Sequence, residues 1–293
     1  METEQFDYPA LYKTAGKMSA TSQSHFLWLV RGEYALLFLA AVFSMNFYAT
    51  PEYFIIPTII LIASLIVLIF RSLQKPEQDW YRGRALAESI KTSCWKYCMR
   101  AEPFGSEDSL AQRRAEFRTY LIEILRSNRL IGDRLPPDNA AEDQITTSME
   151  TTRALSLEDR KQYYDRHRVR DQRAWYAKKA GLNRRASKAW MFASVVAYGI
   201  AILISLVRIT EPAFAYWPVE PVIVVASSIL GWVQIKKFNE LASSYTLTAH
   251  EIGIIQAKIS DISSEDDFSK FVVDAEQAFS REHTQWVARQ QHI

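Results

Sequence analysis

"YFIIPTIILIASLIVLIF", Tyr53 to Phe70, runs for eighteen residues without a charged side chain. A bilayer core takes ~20 apolar residues on a helix, and shorter runs are accommodated by local thinning or by snorkelling flanks. The stretch therefore reads as a membrane span. It must be helical, because backbone polar groups in lipid can be satisfied only within the segment. Tyr34 to Ala49, just before it, is also uncharged, and the turn "FYATPEYF" carries one acid, Glu52. Together these make a hairpin. Two more uncharged windows, the nineteen residues Ala189 to Val207 and the fifteen of Pro221 to Ile235, flank "RITEPAFAYWPVEP" as a second hairpin. Buried helices of a soluble core come with amphipathic partners and rarely occur as back-to-back pairs. The fold class expected is an all-α membrane protein with two transmembrane hairpins, each followed by long helical legs.

The mean hydropathy of -0.13 and the net charge of +2 over 293 residues conceal this, because they average two unlike populations of residues. The composition has no disordered or collagen-like bias. Cys94 and Cys98 lie four apart on one helix face. A zinc site needs about four ligands and no matching Cys or His cluster exists elsewhere, so they read as buried thiols in a reducing compartment.

Lys and Arg set the expected orientation. Lys13, Lys17 and Arg31 precede the first span, Arg71, Lys75, Arg82 and Arg84 follow the second, and Lys178, Lys179, Arg184, Arg185 and Lys188 precede the third. Lys236 and Lys237 follow the fourth, whereas the two turns hold one base, Arg208, and the acids Glu52, Glu211 and Glu220. The positive-inside rule then puts both termini and the middle region in the cytoplasm, as a multi-pass protein with an uncleaved first anchor. Arg31 and Glu33 fall at the inner interface, where Arg snorkels. Tyr48, Tyr53, Tyr216 and Trp217 belong to an outer aromatic belt.

After each hairpin the same events recur. "QDWYRGRALAESIKTSCWKYCMRA" reads as a helix stopped by Pro103 and Gly105, with Ser106 capping a second helix through Arg129. Lys236 to Ser260 reads as its counterpart, and the run from Ser263 to Asp266 starts the final helix. The organisation expected is a cytoplasmic segment 1–26, a first repeat 27–131, a linker 132–155 containing "GDRLPPDNAAEDQ", and a second repeat 156–293. Leu241, Tyr245, Thr248, Ile252, Ile255, Ile259 and Ile262 step alternately by four and three, the spacing of a coiled-coil seam, and are expected to join subunits. Ala193, Ala197, Ala201 and Ser205 form a small-residue stripe on the third span, matched by Ser227 and Gly231 on the fourth; it suits close helix packing or pore lining. Glu52, Glu211 and Glu220 are candidates for an acidic outer mouth.

Nothing in the chain points to catalysis. His250 and Glu251 would need His at 254 for a zinc-protease pair and meet Ile254. Glu282 and His283 lie at the edge of the final helix's apolar stripe, and there is no phosphate loop, nucleophile elbow or carboxylate constellation. No cofactor, metal or nucleic-acid site is expected. Between Ser156 and Lys188 eleven bases stand against four acids. That run reads either as a solvated helix or as a site for anionic lipid or nucleotide.

Three stretches, "RDQRAWYAKKA", "WYRGRALAESIKTSCWKY" and "FVVDAEQAFSREHTQWVARQ", together with the hairpins, resemble a tandem member of the SLATT family. Its two-transmembrane effector domains associate with SMODS nucleotidyltransferases and SLOG nucleotide sensors. The resemblance implies a homo-oligomeric, pore-forming effector of the bacterial inner membrane, acting in anti-phage conflict with a nucleotide-sensing or nucleotide-synthesising partner. Two copies in one chain depart from the simplest one-hairpin pattern. A non-conducting scaffold that recruits a cytosolic partner through its legs is the alternative.

Overall fold

The computed structural model describes residues 6–45, 47–48, 50–105, 109–127, 134–211, 213–214 and 216–290, the last ten by backbone only. The protein is all-helical, with 84% helix and no strand among the described residues. Its helices are α1 (Ala10–Phe43), α2 (Ile55–Gln74), α3 (Pro76–Cys98), α4 (Leu110–Ser127), α5 (Thr147–Ala154), α6 (Leu157–Tyr164), α7 (Asp171–Thr210), α8 (Val219–Lys236), α9 (Phe238–Ala257) and α10 (Glu265–Gln290). A 3-10 turn, Pro51–Phe54, leads into α2, and a six-residue π-helical segment, Asp165–Arg170, joins α6 to α7. Four helical runs are long and apolar enough to cross a membrane: Ala10–Phe43, Pro51–Cys98, Leu157–Thr210 and Val219–Asp261. Three of them hold the windows read from Tyr53, Ala189 and Pro221 in full, and the first ends at Phe43, six residues short of the window read from Tyr34 to Ala49.

The chain forms two compact units, and each draws on both sequence repeats. Ser24–Pro76 and Ala180–Ser243 make a span unit; the chain up to Gln23, Glu77–Lys179 and the chain from Ser244 onward make a helical unit.

Both repeats mark the end of their hairpin in the same way. Lys75 after α2 and Lys237 after α8 adopt left-handed backbone, φ 49 and 47, and each donates its N–H four residues back, to Arg71 O and Val233 O. A non-glycine residue in this region costs about 1–2 kcal/mol, and the N–H bond back to the helix offsets part of that cost by satisfying a last-turn carbonyl. The basic side chains at these C-termini also complement the helix dipole. α9 therefore starts one residue after the break, at Phe238, and ends at Ala257.

In the helical unit the segment ahead of the first span is ordered and used. Ala10, Thr14, Ala15 and Met18 are buried, and Gly83 of α3 meets α1 so closely that a Cβ would lie 3.0 Å from Ser19 N. The described part of 132–155 zips along this segment. Ala10 N donates to Asp143 O, Lys13 pairs with Glu142 at 2.9 Å and Thr146 Oγ1 donates to Asp7 O. Thr146, Ser156 and Ser264 cap α5, α6 and α10 by accepting N–H bonds from Met149, Asp159 and Asp267. Ser106, read as a cap, lies outside the described residues.

Candidate functional site

Along the middle of its uncharged windows the span unit has small side chains inside and large ones outside, and the large buried residues Phe26, Val30, Tyr53 and Phe238 lie toward the ends. Ile59, Ile66, Phe192 and Leu203 are each 60% exposed or more, while Ala40, Ser64, Ser194, Ala197, Ala201 and Ala226 are buried. Water would forbid such a surface, and lipid tails favour it, since close packing of small residues is what holds helices together there. Of the stripe read from the sequence, Ala197 and Ala201 are buried, Ala193 and Ser205 are half-buried, and Ser227 is exposed. On α8 the buried residues are Val219, Pro221 and Ala226, the last of them one step and thus about 100° around the helix from Ser227. Gly231 lies against Tyr34: a Cβ there would overlap the Tyr34 hydroxyl.

At the loop end, Glu52, Glu211 and Glu220 are all exposed. Glu220 faces Arg208 at 3.7 Å. Such an exposed pair contributes about 0–1 kcal/mol. Tyr48 and Tyr216 are exposed, whereas Tyr53 is buried and Trp217 half-buried.

The helical unit centres on buried charge. Glu276 of α10 accepts from Arg168 Nε at 2.8 Å and Arg168 Nη2 at 2.6 Å, in a two-pronged pair wholly shut off from solvent. Tyr164 and Thr92 donate to the same carboxylate at 3.0 and 3.1 Å. The π-helical segment carries Arg168, and its guanidinium also stacks on Phe279 at 5.0 Å. Burial works against the charge on Arg168, but the Glu276 carboxylate outweighs it and holds the guanidinium above its ordinary value. Burial, aided by Glu276, pushes the Tyr164 hydroxyl up as well. Lys91 is pushed down by burial and by the charge of Arg168.

Two more arginines cap the end of α3. Arg153 donates to the carbonyls of Tyr97, Phe104 and Gly105, and Arg160 to those of Met99 and Leu155 and to Glu265. Last-turn carbonyls of a helix lack partners within it, and buried cations answer that need. The basic run is thus corrected in part: Arg160 and Arg168 belong to the core and face neither solvent nor anionic ligand. The signal for Arg168 was a lone carboxylate, Glu276, placed four after Val272 and three before Phe279 on an apolar stripe. Cys94 and Cys98 are buried free thiols, and burial together with the neighbouring Cys98 raises that of Cys94.

The seam read from Leu241 to Ile262 does not run along one helix. α9 ends at Ala257, a 3-10 turn follows over Ile259–Asp261, and Ile262 is extended, so the last two positions lie off the helix. The seam residues are spent largely inside the chain. Tyr245, Thr248, Ile252 and Ile262 are buried, the Tyr245 ring meeting those of Trp175 edge-on and Tyr176 at a tilt, both at 5.5 Å, and Leu241, Ile255 and Ile259 are half-buried. The side chains of Glu282, His283 and Trp286 lie outside the described residues.

Lipid-suited helices in two hairpins, each followed by water-suited helices, define a multi-span α-helical membrane protein. Residues 9–161 match the family described as SMODS and SLOG-associating 2TM effector domain 3, and residues 164–286 match SMODS and SLOG-associating 2TM effector domain 1. The chain belongs to this SLATT family, as two of its domains in tandem. No curated protein and no solved structure compared with it gives a match.

Proposed function

We propose that the chain is a homo-oligomeric, pore-forming effector of a bacterial inner membrane, released by a nucleotide-sensing or nucleotide-synthesising partner, with both termini in the cytoplasm. The observation that carries this reading is the inverted surface of the span unit, together with the effector description of the family. Among the described residues, the buried polar side chains of the spans are Ser64, Ser194 and, at the loop end, Tyr53, so the middle of one chain's interior is dry. A water path is therefore built between chains. On α9 the large apolar residues left exposed are Leu247 and Ile254, seven apart, and they offer subunits a contact beside the seam. The excess of Lys and Arg on the segments flanking the spans supports the orientation.

Single-channel recording from the purified full chain in a planar bilayer tests this. Expected are discrete conductance steps, cation-favouring reversal potentials, and a loss of that preference when Glu52, Glu211 and Glu220 are changed together to Gln. A silent bilayer from protein shown by labelling to be inserted would overturn the pore and leave the scaffold that recruits a partner.

A further inference from the structure

We propose that Arg31, Trp28 and Trp232 form a seat for the phosphate of an anionic phospholipid, with Lys236 beside it. The Arg31 guanidinium carbon lies 5.8 Å from the Trp28 ring centre and 5.2 Å from that of Trp232. Lys236 Nζ lies 5.7 Å from the same Trp232 ring, and Trp190 supports that ring at 6.4 Å. Arg31 stands three residues before the first uncharged window and Lys236 directly after the fourth, so both cations mark the border between apolar and polar surface at one end of the span unit.

Two observations separate this from ordinary snorkelling. Glu33, the carboxylate nearest in sequence, is already taken by Arg71 at 3.0 Å, with both side chains largely covered. No described carboxylate lies within ion-pair distance of Arg31, which is exposed. Stacking on indole faces fixes the plane of a guanidinium while its N–H donors, which lie in that plane, stay free for two-pronged bonding to phosphate. Indoles themselves settle at headgroup depth. Arg31 braced by tryptophan therefore presents donors and positive charge where lipid phosphates lie, which favours an anionic over a zwitterionic headgroup.

The test is native mass spectrometry of the purified full chain in neutral detergent, titrated separately with short-chain phosphatidylglycerol, short-chain phosphatidylcholine and inorganic phosphate. Phosphatidylglycerol is expected to give a discrete bound state that phosphatidylcholine populates weakly and inorganic phosphate neither forms nor displaces. Arg31→Gln should weaken it about tenfold, the scale of one hydrogen bond to a charged group. Arg31→Lys should restore part of it, and Arg208→Gln, at the loop end of the spans, should change nothing. Unfolding midpoints check that each variant is folded, and Trp28→Phe, which keeps Arg31, repeats the test should Arg31→Gln not fold. Equal binding of the two lipids, an unchanged Arg31→Gln, or displacement by inorganic phosphate would each overturn the seat. The readout is lipid binding, so a failure of the pore would leave it standing.

Discussion

The span unit buries alanine and serine and displays isoleucine and phenylalanine, whereas the helical unit buries arginine, glutamate and aromatic rings. The difference follows from the solvent. Lipid gives no hydrophobic reason to bring helices together, so contact area from small residues decides their packing. Water drives apolar faces together strongly enough that the helical unit can also enclose charges, provided each is paired.

The most severe way to break this contrast is to unpair the core. Glu276→Gln leaves Arg168 buried without its counter-charge and should cost about 3–5 kcal/mol in chemical unfolding of the detergent-solubilised chain, followed by near-ultraviolet circular dichroism. The double change Arg168→Met with Glu276→Leu should recover most of that loss. If it does not, the pair has a role besides packing. A smaller effect sharpens the other side. Ala226→Leu overfills the span seam and should cost about 1–3 kcal/mol, whereas Ile59→Ala on the exposed face should stay within about 0.5 kcal/mol, read as thermal midpoints in micelles. A soluble protein of this sequence would reverse that order for Ile59.

The smallest effect concerns pH. Glu150 is partly covered, and burial alone would raise its carboxyl. The hydrogen bonds from Arg114 at 2.9 Å and Tyr97 at 2.8 Å overcome that and hold it below the ordinary 4.5. Its stabilisation is therefore complete above the ordinary carboxylate value and fades as pH falls through the lower folded one. Acid unfolding curves should show a loss of up to about 1 kcal/mol across that window, discounted for solvent screening, and Glu150→Gln should flatten it.

The spans were legible because a charge-free window is a property of single residues counted along the chain. The repeat was legible too, though the left-handed lysines that end each hairpin are invisible without backbone angles. What composition could not give was partnership. Arg168 and Arg160 look like any other base in a run of eleven, and only packing separates them from Lys178 and Arg184, which stay exposed. Ser227 looked as suitable as Ala226 for the seam because a small-residue stripe specifies spacing and leaves the phase of the helix open. The linker reading missed Arg153 for a related reason: a Pro-rich, acidic stretch hides the α5 helix directly after it.

Each compact unit is assembled from parts of both family domains, so neither domain can be removed without opening both units. A chain cut between residues 161 and 164, where the two family matches meet, would strand Glu276 and Arg168 on one piece and Thr92 on the other. Neither half inherits a whole interior. Parting the chain between the two domains would divide both units at once, so separately made halves would have to find each other before either unit could close.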